Sequence, residues 1–147
     1  MYSDISFFPN LHLEYILFDL NCAKMKIRTH KDLEVYKMAF ERAMQIYEIS
    51  KKFPKEETYS LTDQIRRSSR SVCSNLSEAF RKRRYPKAFV AKLTDSEGEA
   101  AETQTWLDFA FNCKYITNEE QSELFSAYEN IIGKIVNMSL HPENWAW

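Results

Sequence analysis

Glycine and proline are scarce in this 147-residue chain, which has two glycines and four prolines. An all-β fold needs a turn signal every few residues, and these two residue types supply most such signals. Cysteine is also rare, since Cys22, Cys73 and Cys113 are far apart and odd in number. They fit neither a disulfide framework nor a zinc site, which favours a reducing compartment, the cytoplasm. The sequence therefore predicts a helical cytoplasmic protein.

A long uninterrupted apolar segment is also missing. The N-terminal stretch FFPNLHLEYILFDL is apolar, but a proline, a histidine and two acids interrupt it, and it is too short to span a bilayer. It lacks the basic start and the cleavage site of a signal peptide. A second methionine, Met25, precedes the regular pattern. We expect residues 1–25 to be an extension, residues 26–140 to form one domain and residues 141–147 to be a tail; alternatively, the N-terminal segment is an ordered arm on that domain.

Four segments repeat their apolar residues at the spacing of a helical face. We place the helices near residues 31–52, 60–83, 86–112 and 118–138. Asp32 either caps the first helix or places negative charge in its first turn, Pro86 suits the first turn of the third, and Thr117 with Glu120 predicts a capping box for the fourth. The short connections place sequential helices side by side. We predict an all-α fold, an antiparallel up-down-up-down four-helix bundle.

The residues expected to face the core can be read from the same spacing. In the first two helices they are Tyr36, Phe40, Ala43 and Tyr47, with Ala39, Ile46 and Phe53 widening that face, and Leu61, Ile65, Val72, Leu76 and Ala79. Small residues flank the apolar arc of the second helix, so a neighbouring helix can approach it closely. We interpret Gly98 and Gly133, both inside predicted helices, as further points of close helix contact.

The net charge of −1 hides a strong asymmetry along the chain. Residues 62–92 carry nine Lys or Arg against two acids, whereas residues 93–130 carry one Lys against nine acids. The candidate nucleic-acid-binding residues lie on the outer side of the second helix and at its turn into the third: Arg66, Arg67, Arg70, Arg81, Lys82, Arg83, Arg84 and Lys87. Such a cluster neutralises phosphates without reading bases, and Tyr85 within it is placed to stack on an unpaired base. The cluster permits RNA or DNA as a partner; alternatively, its arginines pair with acids of a neighbour, for which Asp95, Glu99 and Glu102 are the candidates.

A second interpretation assigns the same charges to self-assembly. The basic segment of one subunit would meet the acidic segment of the next, and head-to-tail complementarity of this kind closes rings. The candidate interface residues are acids and aromatic residues of the third helix: Asp95, Glu99, Glu102, Trp106 and Phe109. On this hypothesis the protein is a structural or adaptor protein that binds itself and a protein partner. It would then show no salt-sensitive binding of RNA or DNA.

Residues suited to catalysis or metal binding are few. The three histidines, His12, His30 and His141, fall outside the predicted helices, so the inward Glu-x-x-His pairs of a di-metal bundle are absent. With both glycines inside helices, no loop is suited to cradle a phosphate. Glu97 and Gln104, near the inner face of the third helix, are better explained as buried hydrogen-bonding groups. We predict no catalytic residue, no metal site and no cofactor.

Several stretches resemble the bacterial four-helix-bundle family named after proteins encoded in intervening sequences of 23S ribosomal RNA genes. The most specific are DLEVY, KKFPKEE, LTDQIRRSS and SNLSEAF, and WLDFAFNCKYIT is similar to the end of the family's third helix. The resemblance covers about residues 31–138. Cys73 stands where the family usually has proline, and Ala79 where it usually has glycine. Both departures predict a straighter and slightly stiffer second helix.

The resemblance implies a bundle that assembles into homopentamers. A related branch, the accessory variability protein of diversity-generating retroelements, binds nucleic acid and a reverse transcriptase through a basic surface. No catalytic activity is attributed to the family, and the ribosomal wording of its name reflects gene location. The resemblance therefore adds a pentameric stoichiometry to the expectations and strengthens the nucleic-acid hypothesis.

Overall fold

A computed structural model describes residues 27–146 of the chain. Most of these residues belong to four α-helices: α1 Glu34–Ser50, α2 Leu61–Lys82, α3 Pro86–Asn112 and α4 Asn118–Leu140. One 3₁₀ turn at residues 30–32 precedes α1, and another at residues 55–57 precedes α2. A third, at residues 142–144, follows α4. Within this range there is no strand. The predicted all-α fold is confirmed, and every predicted helix boundary lies within three residues of the observed one.

The helices pack around one core in their sequence order. Each of α1 and α3 packs against both α2 and α4. In the described part of the chain no Cα atom of α1 lies within 8 Å of α3, and the same holds for α2 and α4. Short connections join neighbours, so successive helices run antiparallel. This arrangement is the predicted up-down-up-down bundle.

Small polar residues join α2 to α3. Ser68 of α2 and Ser96 and Thr103 of α3 are fully buried between the two helices. The Oγ of Ser96 donates a 2.9 Å hydrogen bond to the carbonyl oxygen of Val72 on α2. The hydroxyl oxygens of Thr103 and Ser68 lie 2.9 Å apart. These short side chains let the two helices approach closely, as the sequence indicated.

The predicted core face of α1 is partly wrong. The residues of α1 that enter the hydrophobic core are Val35, Ala39, Ala43, Ile46 and Ile49. Of the predicted face, Ala39, Ala43, Ile46 and Phe53 are buried, but Phe40 is 52% exposed and Tyr36 and Tyr47 are partly exposed. Both stripes have helical spacing. The aliphatic stripe lies innermost, and the aromatic stripe lies at the edge that faces α2.

The two predicted caps have different outcomes. The backbone N–H of Glu120 donates to Thr117 Oγ1 (3.1 Å), and the N–H of Thr117 donates to Glu120 Oε2 (2.9 Å), so the capping box of α4 is confirmed. Asp32 neither caps α1 nor lies in its first turn. Its carboxylate accepts from the backbone N–H groups of Arg28 and Thr29, each at 2.8 Å. Asp32 thus closes the 3₁₀ turn, and α1 begins three residues later than predicted.

The interpretation of the two glycines as points of close helix contact is wrong. Gly98 lies inside α3 and Gly133 inside α4, and both are exposed to solvent. A Cβ atom added at either residue would meet no atom within 4 Å. Neither glycine has a positive φ. Nothing in the described structure requires glycine at these positions.

The ends of the chain bear on the predicted domain limits. The expected boundary of the N-terminal extension, near residue 25, lies outside the described residues. In the C-terminal tail, Trp145 packs against the hydrophobic core. It lines a shallow cavity together with Leu33 and Val35, which lie at the start of α1. No helix in residues 27–146 combines the length and the apolar character of a bilayer span.

Candidate nucleic-acid interface

Three of the eight candidate basic residues surround an open depression on the outer face of α2. Its volume is about 620 Å³. The lining residues are Thr58, Tyr59, Thr62, Asp63, Arg66, Arg67, Arg70, Ser71 and Ser74. The arginines point outward because the opposite side of α2, with Ile65 and Val72, is fully buried in the core. Three guanidinium groups beside a single acid supply donors suited to phosphate oxygens, whereas the hydroxyls of Thr58 and Ser74 already donate to backbone carbonyl oxygens.

Arg66 and Arg70 are held on the α1 side by Tyr47. Their guanidinium carbons lie 4.9 Å and 5.7 Å from the centroid of the Tyr47 ring. The Nε of Arg66 also donates a 2.7 Å hydrogen bond to Ser50 Oγ. These contacts orient the two cations without neutralising them. No acid among residues 27–146 forms an ion pair with either.

The Arg67 side chain points toward α3 and forms ion pairs with two acids there. Its Nη2 lies 2.5 Å from Glu102 Oε1, and its Nη1 lies 3.6 Å from Glu99 Oε1. The hydrogen bond to Glu102 is the main cause that raises the pKa of Arg67. The indole Nε1 of Trp106 donates to the same Glu102 oxygen at 3.1 Å. Two acids that the sequence assigned to a subunit interface therefore bind an arginine of their own subunit.

The other five candidates cluster at the turn from α2 into α3. They are Arg81, Lys82, Arg83, Arg84 and Lys87. Arg83 is partly buried, and its guanidinium carbon lies 3.6 Å from the ring centroid of Phe80. Its Nη1 donates a 2.7 Å hydrogen bond to the carbonyl oxygen of Phe80. Burial, followed by repulsion from Arg81 and Arg84, lowers the pKa of Arg83. Arg81, Lys82 and Lys87 are exposed, so this turn presents a second group of cations.

The structure does not bring the eight residues into one patch. Arg66 and Arg81 are 15 positions apart, which corresponds to about 22 Å along the helix axis. Between them, Ser71, Ser74 and Ser77 face outward or lie at the edge of the exposed side. The exposed side of α2 and the turn that follows it form one strip, which we call the α2 polar face. It has a group of arginines near its beginning and a group of mixed cations at its end.

Tyr59 is a candidate site residue that the sequence reasoning missed. It lies in the loop before α2, lines the depression and is 94% exposed. Tyr85, which the sequence did select, is 64% exposed at the other end of the α2 polar face. Tyr59 lies outside any helical repeat, so periodicity gives no signal for it. Its position beside a basic helix was the only available clue.

An apolar groove lies on each side of α2. The groove toward α1 has a volume of about 440 Å³ and includes Phe40 and Met44, which are 52% and 48% exposed. The groove toward α3 has a volume of about 540 Å³ and includes Trp106 and Phe109, whose ring centroids are 5.9 Å apart. Phe109 is 55% exposed, whereas Trp106 is partly buried. The sequence selected Trp106 and Phe109 but placed Phe40 in the core and did not select Met44.

Groups with catalytic potential are placed in structural roles. In the described part of the chain, no cluster of three or more His, Cys, Asp or Glu could hold a metal ion. Burial raises the pKa of Cys73 to about 11, which keeps its thiol protonated. The amide nitrogen of Gln104 donates to Glu129 Oε1 at 2.7 Å and to the carbonyl oxygen of Phe125 at 3.3 Å. Gln104 is thus a satisfied buried hydrogen-bonding group, as predicted.

Known proteins share the bundle that carries this surface. The family model described as 23S rRNA-intervening sequence protein matches residues 31–137. A crystal structure of a protein with unknown function from the S23 ribosomal protein family of Bacteroides thetaiotaomicron is similar, with a TM-score of 0.65 and 26% sequence identity. The match covers 71% of this chain and 97% of that chain. No curated protein matches the chain. The family match includes the whole α2 polar face.

Proposed function

The chain belongs to the 23S rRNA-intervening sequence protein family, and we propose that it is a non-enzymatic, oligomeric bundle that binds the backbone of RNA or DNA through the α2 polar face. One observation carries this proposal. Arg66 and Arg70 are oriented by Tyr47 beside an open depression rich in hydroxyl groups, and neither forms an ion pair within the described residues. Oriented, solvent-accessible cations of this kind are available to phosphates.

The chemistry of the surface suits weak binding that tolerates many sequences. Guanidinium and hydroxyl groups donate to phosphate oxygens, which are the same for every base. Each neutralised phosphate releases condensed counterions, so affinity should fall steeply as salt rises. The exposed cations Arg81, Lys82 and Lys87 extend the surface beyond the depression. We propose that they hold a second part of the same strand.

Oligomerisation forms the second part of the proposal. The family resemblance supplies the stoichiometry, a homopentamer, and the two exposed apolar grooves beside α2 support self-association. We propose that Trp106 and Phe109 of one subunit meet the groove that contains Phe40 and Met44 on the next. Several copies of a modest site would then act together on one strand. Assembly is proposed to take place in the cytoplasm, which is consistent with the free thiols of Cys73 and Cys113.

The adaptor hypothesis is the alternative, and one observation reduces the charge that is left for a polyanion. Arg67 is neutralised within its own subunit by Glu99 and Glu102, and Asp95 likewise pairs with Lys92 at 3.2 Å. Arg67, one of the eight cations that suggested a nucleic-acid partner, therefore serves to join α2 to α3. On this alternative, the grooves bind other subunits and a protein partner, and the arginines bind no polyanion.

Fluorescence anisotropy with labelled 20-nucleotide RNA and DNA of mixed sequence tests the proposal. The double variant Arg66→Gln, Arg70→Gln should bind about tenfold more weakly than the parent at low salt, irrespective of sequence. The matched control Lys31→Gln, Lys37→Gln removes two exposed charges of α1 and the turn before it, and it should bind as the parent does. Equal binding by both variants would contradict the proposal. If the arginine variant instead lowers the oligomer mass, the adaptor hypothesis gains support.

A further inference from the structure

We infer that the ligand of the α2 polar face is single-stranded nucleic acid, whose bases stack on Tyr59 and Tyr85 at the two ends of that face. This inference rests on the proposed function and adds the class of ligand. Tyr59 is 94% exposed and Tyr85 is 64% exposed, which makes them the most exposed aromatic residues of the described chain. Tyrosine rings open to solvent beside cations provide stacking surfaces for unpaired bases.

The positions of the two rings match a short strand. Tyr59 lies two residues before α2 and Tyr85 three residues after it, and the 22 residues of α2 span about 33 Å. A stacked strand advances about 3.4 Å per nucleotide, so about ten nucleotides reach from one ring to the other. Each ring has a cation nearby. Tyr59 lines the depression together with Arg66, and the guanidinium carbon of Arg84 lies 5.9 Å from the Tyr85 ring centroid.

The shape of the bundle disfavours a duplex at this surface. A helix reads duplex DNA by entering the major groove, which is about as wide as the helix itself. Here α2 is packed between α1 and α3, with Ser68, Ser69 and Cys73 buried along its flanks. Only its outer side is therefore available to a groove. A duplex would meet the arginines with its phosphates but would keep its bases out of reach of both tyrosines, whereas a single strand can offer both groups.

The test compares three labelled probes, namely dT12, rU12 and a mixed 12-base-pair DNA duplex. The double variant Tyr59→Ala, Tyr85→Ala should lose about tenfold or more in affinity for the single strands and keep its affinity for the duplex. The variant Tyr59→Phe, Tyr85→Phe keeps the rings and should bind all probes as the parent does. Since no charge is removed, the salt dependence should be the same in all three proteins. Circular dichroism establishes that both variants keep the helical fold.

Two results would overturn the inference without touching the proposed function. One is an unchanged affinity of the alanine variant for dT12 and rU12, and the other is a parent that prefers the duplex. In either case the loss of binding in Arg66→Gln, Arg70→Gln still supports backbone binding through α2. A parent that binds none of the probes overturns both.

Discussion

Arg67 on α2 and Glu102 on α3 are joined by a hydrogen bond of 2.5 Å within one subunit. The pair connects the two helices at the edge of the depression. The pair also leaves only two of the three arginines of the depression available to a ligand. A guanidinium that already binds a carboxylate must lose that partner before it can bind a phosphate. The local charge of the depression is therefore lower than its arginines alone suggest.

Releasing Arg67 should strengthen nucleic-acid binding. Arg67 pairs with both Glu99 and Glu102, so the test removes both carboxylates. We expect the double variant Glu99→Gln, Glu102→Gln to raise the affinity for single strands severalfold and to steepen the salt dependence by about 0.7 in log–log slope, the value for one additional phosphate. The amide at position 102 can still accept the hydrogen bond from Trp106. Glu123→Gln, which alters the surface pair between α4 and Arg42 of α1, is the control and should change neither quantity. An unchanged slope in the double variant would show that Arg67 does not reach the ligand.

The two grooves beside α2 should decide the oligomeric state. We expect Met44→Glu and Phe109→Glu each to lower the mass measured by light scattering at micromolar concentration, because each places a charge in a proposed apolar contact. Asn130→Glu, on the exposed side of α4, is the control and should leave the mass unchanged. A parent that is already monomeric under these conditions would refute the oligomer.

Gly98 of α3 offers a test of the fold itself. Gly98 is exposed within α3 and a Cβ there would contact nothing within 4 Å. Gly98→Ala should therefore raise the free energy of unfolding by about 0.5–1 kcal/mol through helix propensity alone. The reciprocal change Ala101→Gly, at another exposed position of α3, should lower it by a similar amount. Urea denaturation measures both. A destabilised Gly98→Ala would indicate that another surface packs on this part of α3.

The capping box of α4 should contribute to stability in a pH-dependent way. The backbone hydrogen bond from Thr117, with Lys52 as a further contributor, lowers the pKa of Glu120 below its usual 4.5. A carboxylate with a depressed pKa stabilises the fold above the unfolded-state value, and this contribution is lost as the pH falls through the folded-state value. Urea denaturation at a series of pH values below about 5 should therefore show less acid loss of stability in Glu120→Gln than in the parent. Glu119→Gln should resemble the parent. Identical acid profiles of all three proteins would contradict this role of Glu120.

The sequence predicts α2 well and α1 less well, for a physical reason. On α2 the apolar residues form one narrow arc that includes Ile65 and Leu76, and charged residues occupy the opposite side, so only one face can enter the core. On α1, an aliphatic stripe and an aromatic stripe lie side by side with the same spacing. Which stripe is innermost depends on the helices that pack against α1. For that reason the helical spacing predicts Phe40 in the core, whereas the structure places it at the groove toward α1.

In the candidate site, too, some features follow from the sequence and others depend on the packing of the helices. The outward positions of Arg66 and Arg70 follow from helical geometry and were predictable. The pairing of Arg67 with Glu102 joins residues 35 positions apart and depends on the register of α2 against α3, which periodicity does not determine. Tyr59 lies in a loop, where no repeat marks it. Thus the sequence located the basic surface, and the structure divided its charges into paired and available groups.

The salt dependence of binding tests the central claim most directly. The affinity of the parent for a labelled single strand of 20 nucleotides is measured by anisotropy between about 50 and 300 mM salt. If Arg66, Arg70 and at least one cation of the turn neutralise phosphates, the slope of log affinity against log salt should be about −2 or steeper. A slope near zero, or no binding at the lowest salt, would contradict the account and leave the adaptor hypothesis in its place.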